Sequence, residues 1–183
     1  MQYQHTTSYA APVADVYAML VDPKFQAQRA QAGEPEHAEA KVEPGPGDGA
    51  TVVVTRRLAV DLPPFVKAVA GSSVTFNERF TWPDGADPET GARTATAAAE
   101  IQAQPGEMRG TLRLEPDGDG TTVTLDAEVR VRVPIVGRKI ERYLVDMLNR
   151  FMRTEHKLGE AWLAGPPKPG PAKPGPPKRG RRR

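Results

Sequence analysis

The chain has 183 residues, of which 38% are hydrophobic, with 25 Lys and Arg, 23 Asp and Glu, three His and no Cys. This length and composition suit one globular domain with a sizeable core. The lack of cysteine excludes a disulfide framework and a Cys-based zinc site, and three scattered histidines make no metal-binding pattern. There is neither a signal-peptide pattern nor an 18-residue apolar run, so we expect a soluble cytoplasmic protein without metal or cofactor.

The formal net charge of +2 is unevenly distributed along the chain. Residues 164–183 hold seven of the basic residues and no acid, which leaves about −5 on residues 1–163. This tail repeats a Pro-rich five-residue unit three times and has no large apolar residue, which predicts disorder with polyproline II character. We therefore predict a folded domain over 1–163 and a disordered basic tail over 164–183.

The chain begins with a predicted strand over residues 2–9, followed by two short helices. In AAPVADVYAMLVDP, Pro12 suits the first turn of a helix. The apolar residues after it recur at helical spacing: Val13, Val16, Tyr17 and Leu20. Asp22 is placed to cap the second helix, PKFQAQRAQAG, which we expect to end at Gly33.

Five or six strand signals follow, separated by turn-forming segments such as WPDGADPETG and EPDGDG. The clearest runs from Thr122 to Val133, where apolar and polar residues alternate as in a half-solvated antiparallel strand. EPDGDG joins it to the preceding strand as a hairpin. The strand over 94–103 has alanine at most apolar positions, including Ala103. Small side chains on an inward face leave volume unfilled.

Two charged residues interrupt apolar strand faces. Arg56 shares its parity with Val54 and other apolar residues, and Glu78 lies between Phe76 and Phe80. If the two strands pair about the Leu62–Gly71 connection, Arg56 and Glu78 become near neighbours and can form a charge-assisted pair. One interpretation is a polar anchor for an otherwise apolar ligand. The other, which we prefer, is a structural pair or a β-bulge that turns a side chain outward.

A long amphipathic helix follows Pro134. Its apolar stripe consists of Ile140, Tyr143, Leu144, Met147, Leu148, Phe151, Leu158 and Trp162. Glu155 interrupts this stripe and either faces the interior, where it could join the pair of Arg56 and Glu78, or lies at the rim in water, which we prefer. His156 is expected to be an exposed helix residue, and His5 a core histidine with its hydrogen bonds satisfied.

No pattern for covalent, metal or nucleotide chemistry is present, because the chain has no cysteine, G-x-S-x-G, HExxH, P-loop or GxGxxG. General acid–base chemistry by Arg56, Glu78 or Glu155 stays open as an alternative. We predict no catalytic residue, and the sequence favours a protein that is not an enzyme.

The order of one strand, two short helices, six antiparallel strands and a long helix resembles the START-like, helix-grip superfamily, which includes the birch pollen allergen, lipid-transfer domains and polyketide cyclases. More narrowly, APVADVYAMLVDPKF, RRLAVDLPPFVKAVAG, LRLEPDGDGTTVTLDAEVRVRVPIVGRKIE and EAWL resemble the actinobacterial family labelled domain of unknown function 2505. The resemblance covers roughly residues 2–163. It implies an α+β fold in which a curved antiparallel sheet of about seven strands wraps the last helix and encloses an apolar cavity.

The resemblance and the alanine-rich strand together predict a binding protein for a small hydrophobic or lipid-like ligand. The predicted ligand-binding residues are Val54, Arg56, Phe76, Glu78, Phe80, Leu112, Met147, Phe151 and Glu155. One alternative is a cyclase-like or hydrolase-like enzyme that uses the same cavity. Another is an adaptor whose KRGRRR cluster contacts anionic membrane or nucleic acid weakly, although we prefer a solubilising role for the tail.

Overall fold

The computed structural model of the chain describes residues 1–59, 64, 67 and 73–165. The predicted basic tail from residue 166 onward lies outside this part, as does nearly all of the connection between residues 59 and 73. The predictions of disorder, and of membrane or nucleic-acid contact by the tail, therefore stay predictions.

Seven strands and three helices make up the described part of the chain. In order, they are β1 (Gln2–Tyr9), α1 (Val13–Leu20), α2 (Pro23–Ala30), β2 (His37–Pro44), β3 (Ala50–Ala59), β4 (Ser73–Trp82), β5 (Arg93–Ile101), β6 (Gly106–Asp117), β7 (Gly120–Val131) and α3 (Gly137–Leu163).

Helix α2 begins at the predicted cap but ends early. The Asp22 carboxylate accepts hydrogen bonds from the main-chain N–H groups two and three residues on, at 2.7 and 3.1 Å, which satisfies donors at the helix start. The helix ends at Ala30 instead of Gly33. Gly33 has a φ of +85°, and a Cβ there would lie 2.7 Å from Cε1 of Phe151, so the turn after α2 passes close over α3.

All neighbouring strands pair antiparallel, in the order β1-β7-β6-β5-β4-β3-β2. The predicted hairpin joins β6 to β7 through a two-residue turn between Asp117 and Gly120. Strand β7 ends at Val131, so Val133 lies outside it, and β5 ends at Ile101, so Ala103 falls in the following turn with a φ of +57°. Both predicted strands were therefore two residues too long at their C-terminal ends.

The period-two alternation decides which face of the sheet forms the core. Buried residues of β7 are Thr121, Val123, Leu125, Ala127 and Val129, which alternate with partly or fully exposed polar residues. Helix α3 covers this inner face and buries Ile140, Leu144 and Met147 against it. The curved sheet around the last helix confirms the predicted α+β helix-grip fold.

Candidate functional site

An apolar cavity, here the first chamber, lies between the inner face of the sheet and the middle of α3. Its volume is about 80 Å³. Ala99 and Ile101 of β5 line it, whereas Ala95 and Ala97 of the same strand are packed into the hydrophobic core. Of the predicted ligand-binding residues, those that line the first chamber are Arg56, Phe76, Glu78, Phe80, Met147, Phe151 and Glu155. Leu112 lines a different cavity, and Val54 is fully buried in the hydrophobic core without lining either.

Four charged side chains from four elements meet at one wall of the first chamber. This charged cluster consists of Arg29 (α2), Arg56 (β3), Glu78 (β4) and Glu155 (α3). Arg29 bonds Glu78 at 2.7 Å and Glu155 at 2.9 Å, while Arg56 bonds Glu155 at 2.8 Å and lies 3.4 Å from Glu78. Two cations and two anions thus alternate in a ring with no formal net charge.

The register of β3 on β4 explains how Arg56 reaches Glu78. Phe76 is opposite Arg56, and Val54 is opposite Glu78, so the two charged residues are diagonal neighbours on the same face. Diagonal neighbours on a sheet are within reach of long side chains. Both point inward, so the outward bulge that the sequence left open does not occur at either position.

Burial and ion pairing oppose each other in this cluster. Arg56 is only 2% exposed, and an isolated charge so deep in the fold would be strongly destabilising. Burial tends to raise the pKa of Glu78, but Arg56 and Arg29 outweigh it and hold that pKa below its ordinary value. Burial likewise tends to lower the pKa of Arg29, and Glu155 and Glu78 reverse the shift, so it is raised. Glu78 and Arg29 are therefore both charged near neutral pH.

One donor of the cluster is unused. The Arg56 Nε–H is buried and has no hydrogen-bond partner among the described residues. The guanidinium carbon lies 5.2 Å from the ring centroid of Phe151, in cation–π range, and Arg29 lies the same distance from the ring of Phe80. Aromatic rings thus hold both guanidinium groups in place, and one N–H remains available to an acceptor.

The interior position of Glu155 corrects our preference for the rim. Its residue exposure is 8%, and both of its carboxylate oxygens accept from arginines. The prediction that His156 is exposed was also wrong, because this residue is half-buried. Its Nδ1 lies 3.0 Å from the Thr7 hydroxyl, and its ring packs 5.0 Å from that of Tyr9.

Arg29 is the member of the cluster that the sequence analysis missed. The sequence did contain a weak indication that Arg29 is buried, because Arg29 lies four residues after Phe25 and so shares its helix face. Gln26, one turn earlier, is also buried and accepts from Arg29 Nη1 at 3.2 Å. Two polar residues on the buried face of one short helix point to a polar partner inside the fold.

A second cavity, the second chamber, lies on the other side of the charged cluster and has a volume of about 70 Å³. The side chains that line both chambers form a partition between them: Arg29, Phe80, Leu125, Met152 and Glu155. The remaining wall of the second chamber includes His5, Trp82 and Leu112.

Two kinds of site are absent from the described part of the chain. It contains no group of three or more His, Cys, Asp or Glu placed to hold a metal ion. None of its helices combines the length and apolar character needed to cross a membrane.

Comparison with solved structures shows the same fold in proteins of low sequence identity. TTHA0849 from Thermus thermophilus matches with a TM-score of 0.58 and 17% identity, over 90% of this chain and 97% of that one. A STAR-related lipid transfer protein from Xanthomonas axonopodis matches with a TM-score of 0.53 and 16% identity, over 85% of each chain. Norcoclaurine synthase from Thalictrum flavum matches with a TM-score of 0.52 and 15% identity, over 92% of this chain and 89% of that one. The fold is thus START-like.

Sequence comparison places the chain within a narrower group. The uncharacterized protein Rv0481c of Mycobacterium tuberculosis H37Rv is 28% identical over 120 residues, which cover 63% of this chain and 67% of the relative. A family profile described as "Protein of unknown function (DUF2505)" matches residues 4–163. The chain therefore belongs to the DUF2505 family.

Proposed function

We propose that this protein binds a small, neutral, mostly apolar ligand in the first chamber and does so without catalysis. The proposed contacts are the side chains predicted from sequence that line this chamber, with Arg56 as the hydrogen-bond donor. The observation that carries the proposal is an apolar cavity whose wall includes Arg56, a buried side chain whose Nε–H has no partner among the described residues. A buried donor without a partner costs about 1–3 kcal/mol, which an acceptor on the ligand would recover.

The charge balance of the cluster favours a neutral ligand. Glu78 and Glu155 are already matched by Arg29 and Arg56. A ligand carboxylate would add an unbalanced negative charge in a buried place, which is costly. A carbonyl, ether or hydroxyl oxygen can accept from Arg56 without that cost. The charged cluster therefore favours ketones, esters and alcohols over fatty acids.

The volume limits the size of the ligand. An engineered apolar cavity of roughly 150 Å³ binds benzene. At about 80 Å³, the first chamber is about half that size, so a short chain fits as it stands and a ring enters only as the walls adjust. A longer lipid-like ligand would require the walls to move or the partition to open.

Two proteins of the same fold give analogies for this use of the interior. One is named as a lipid transfer protein, and the other, norcoclaurine synthase, has been solved in complex with dopamine and hydroxybenzaldehyde. Shared fold does not transfer function. These analogies therefore support only the general idea of an organic ligand inside the sheet.

The state of the two carboxylates supports binding over general acid–base catalysis. Each accepts from or lies close to both arginines, and the pKa of Glu78 is lowered by Arg56 and Arg29 despite its burial. A carboxylate with a lowered pKa is a weak base, and an efficient catalytic group has a pKa near the working pH. Glu78 is therefore a poor general base, which weighs against the enzyme alternative.

Calorimetric titration with three matched probes tests the proposal. Acetophenone carries a carbonyl, α-methylstyrene replaces its oxygen with a CH₂ group, and benzoate carries a carboxylate. A hydrogen bond to a charged donor is worth about 1.5–3 kcal/mol, so acetophenone should bind roughly 10- to 150-fold more tightly than α-methylstyrene. Benzoate should bind more weakly than acetophenone.

A pair of variants on β5 provides the control. Ala99→Leu fills the first chamber and should abolish acetophenone binding there, seen as loss of the response of the Met147 methyl signal. Ala98→Leu makes the same change one residue earlier, on the opposite face of the sheet between Arg79 and Arg109, and should leave binding intact. Equal affinity for acetophenone and α-methylstyrene, or a Met147 response to acetophenone that survives Ala99→Leu, would contradict the proposal.

A further inference from the structure

The second chamber is separated from the first by side chains that are already engaged. Arg29 and Glu155, which form part of the partition, bond each other at 2.9 Å. Arg29 also contacts the ring of Phe80. This ion pair and the apolar side chains of the partition therefore lie between the two chambers.

The second chamber has its own unused donor. Trp82 is 3% exposed and lines this chamber, and its indole Nε1–H has no hydrogen-bond partner among the described residues. The ring itself is held by Tyr17, at 5.4 Å between centroids in an edge-on arrangement. Buried indole N–H groups usually find a partner, so an acceptor is expected at this point of the wall.

The size and chemistry of the second chamber indicate the class of that partner. Its volume of about 70 Å³ is several times the roughly 10–15 Å³ that one water needs and about half of a cavity that binds benzene, so a ring-sized molecule enters only as the walls adjust. Aromatic side chains from three elements line it: Tyr9, Phe25, Phe80 and Trp82. Flat rings pack well against such walls.

The charges in the partition balance each other, which disfavours an ionic ligand. The Arg29 guanidinium and the Glu155 carboxylate neutralise each other across the partition. Burial, together with His156 and Arg153, lowers the pKa of His5, so its imidazole is neutral at pH 7. His156 also borders the chamber, and its Nδ1 is engaged with the Thr7 hydroxyl.

We infer that the second chamber is a separate binding site for a small, neutral, planar molecule with a hydrogen-bond acceptor, and that the Trp82 indole N–H donates to this acceptor. This site goes beyond the proposed function, because its donor lies in a different chamber from that of Arg56.

The two tryptophans of the chain make the test specific. In ¹⁵N-labelled protein, Trp82 and Trp162 each give one indole N–H signal, and Trp162→Phe assigns them. Trp162 packs edge-on against Phe25 and does not line the second chamber, so it is an internal control. Acetophenone should move the Trp82 signal downfield with saturation and leave Trp162 nearly unchanged. α-Methylstyrene should bind about two- to tenfold more weakly, without the downfield shift.

Filling variants distinguish the two chambers. Leu112→Phe fills the second chamber and should abolish the Trp82 shift while the methyl signal of Met147, in the first chamber, still responds to acetophenone. Ala99→Leu should do the reverse. If Leu112→Phe does not fold, the milder Val123→Ile replaces it. A Trp82 signal that ignores acetophenone in the unaltered chain overturns the inference, as does a shift that survives filling of the second chamber.

Discussion

Breaking the charged cluster at one point should cost far more than removing a balanced pair. Arg56→Met leaves two carboxylates facing one arginine, and Glu155→Gln leaves two arginines facing one carboxylate, in surroundings where Arg56 is 2% exposed. Removing one partner of a buried ion pair costs about 3–5 kcal/mol. For a domain of this size that corresponds to a fall in Tm of roughly 6–20 °C.

The double variant Arg56→Met/Glu155→Gln restores neutrality. The pair of Arg29 and Glu78 remains at 2.7 Å, so no unmatched charge is left in the interior. We expect the double variant to be more stable than the sum of the single losses predicts, by about 1–3 kcal/mol, as is typical for residues in one ion-pair network.

Urea unfolding followed by circular dichroism gives the required free energies of unfolding. Arg57→Met is the matched control, because the neighbouring Arg57 side chain is 57% exposed and pairs with Glu36 on the surface. It should cost less than about 1 kcal/mol. Additive losses in the double variant, or an Arg56→Met cost no larger than that of Arg57→Met, would refute the description of the cluster as a balanced, buried network.

Three further predictions concern pH and packing. Arg56 and Arg29 outweigh burial and hold the pKa of Glu78 below 4.5. The stability that the Glu78 carboxylate contributes is therefore complete above pH 4.5 and is lost as the pH falls through the lower native pKa. Glu78→Gln should flatten the dependence of the free energy of unfolding on pH in that range. Burial raises the pKa of Tyr9 from 10.0 to about 12, so its ultraviolet titration should be delayed, and the stability it contributes should be lost as the pH rises above 10. Gly110→Ala would place a Cβ 2.0 Å from a main-chain oxygen of β7 and should lower the Tm sharply. The control Gly118→Ala should lower the Tm less, because a Cβ there meets open space and the variant costs only the backbone strain of a φ of +58°.

The period-two alternation made the sheet predictable, because one face of each strand must be buried. The parity of Arg56 and Glu78 placed both on that face, and the structure pairs them there. The C-terminal ends of β5 and β7 were less predictable, since alternation continues in the sequence beyond the last ladder hydrogen bonds.

The charged cluster was only half predictable, because its parts stabilise one another across distant elements. Nothing within α3 offsets the cost of burying Glu155, and the arginines that do so come from α2 and β3. Arg29 was missed for the same reason, since an arginine in a short helix usually faces water. Its position is explained only by two carboxylates that the fold brings within 3 Å of it.

Methionine methyl spectroscopy tests the central claim most directly. The five methionines of the chain sample different places: Met108 and Met147 line the first chamber, Met152 lies in the partition, Met19 is buried elsewhere in the core and Met1 is at the surface. With [methyl-¹³C]methionine, acetophenone should shift the signals of Met108, Met147 and Met152 with saturation and leave Met19 and Met1 unchanged. Signals of Met108 and Met147 that stay fixed up to the solubility limit of acetophenone would contradict the account of the interior as a ligand site.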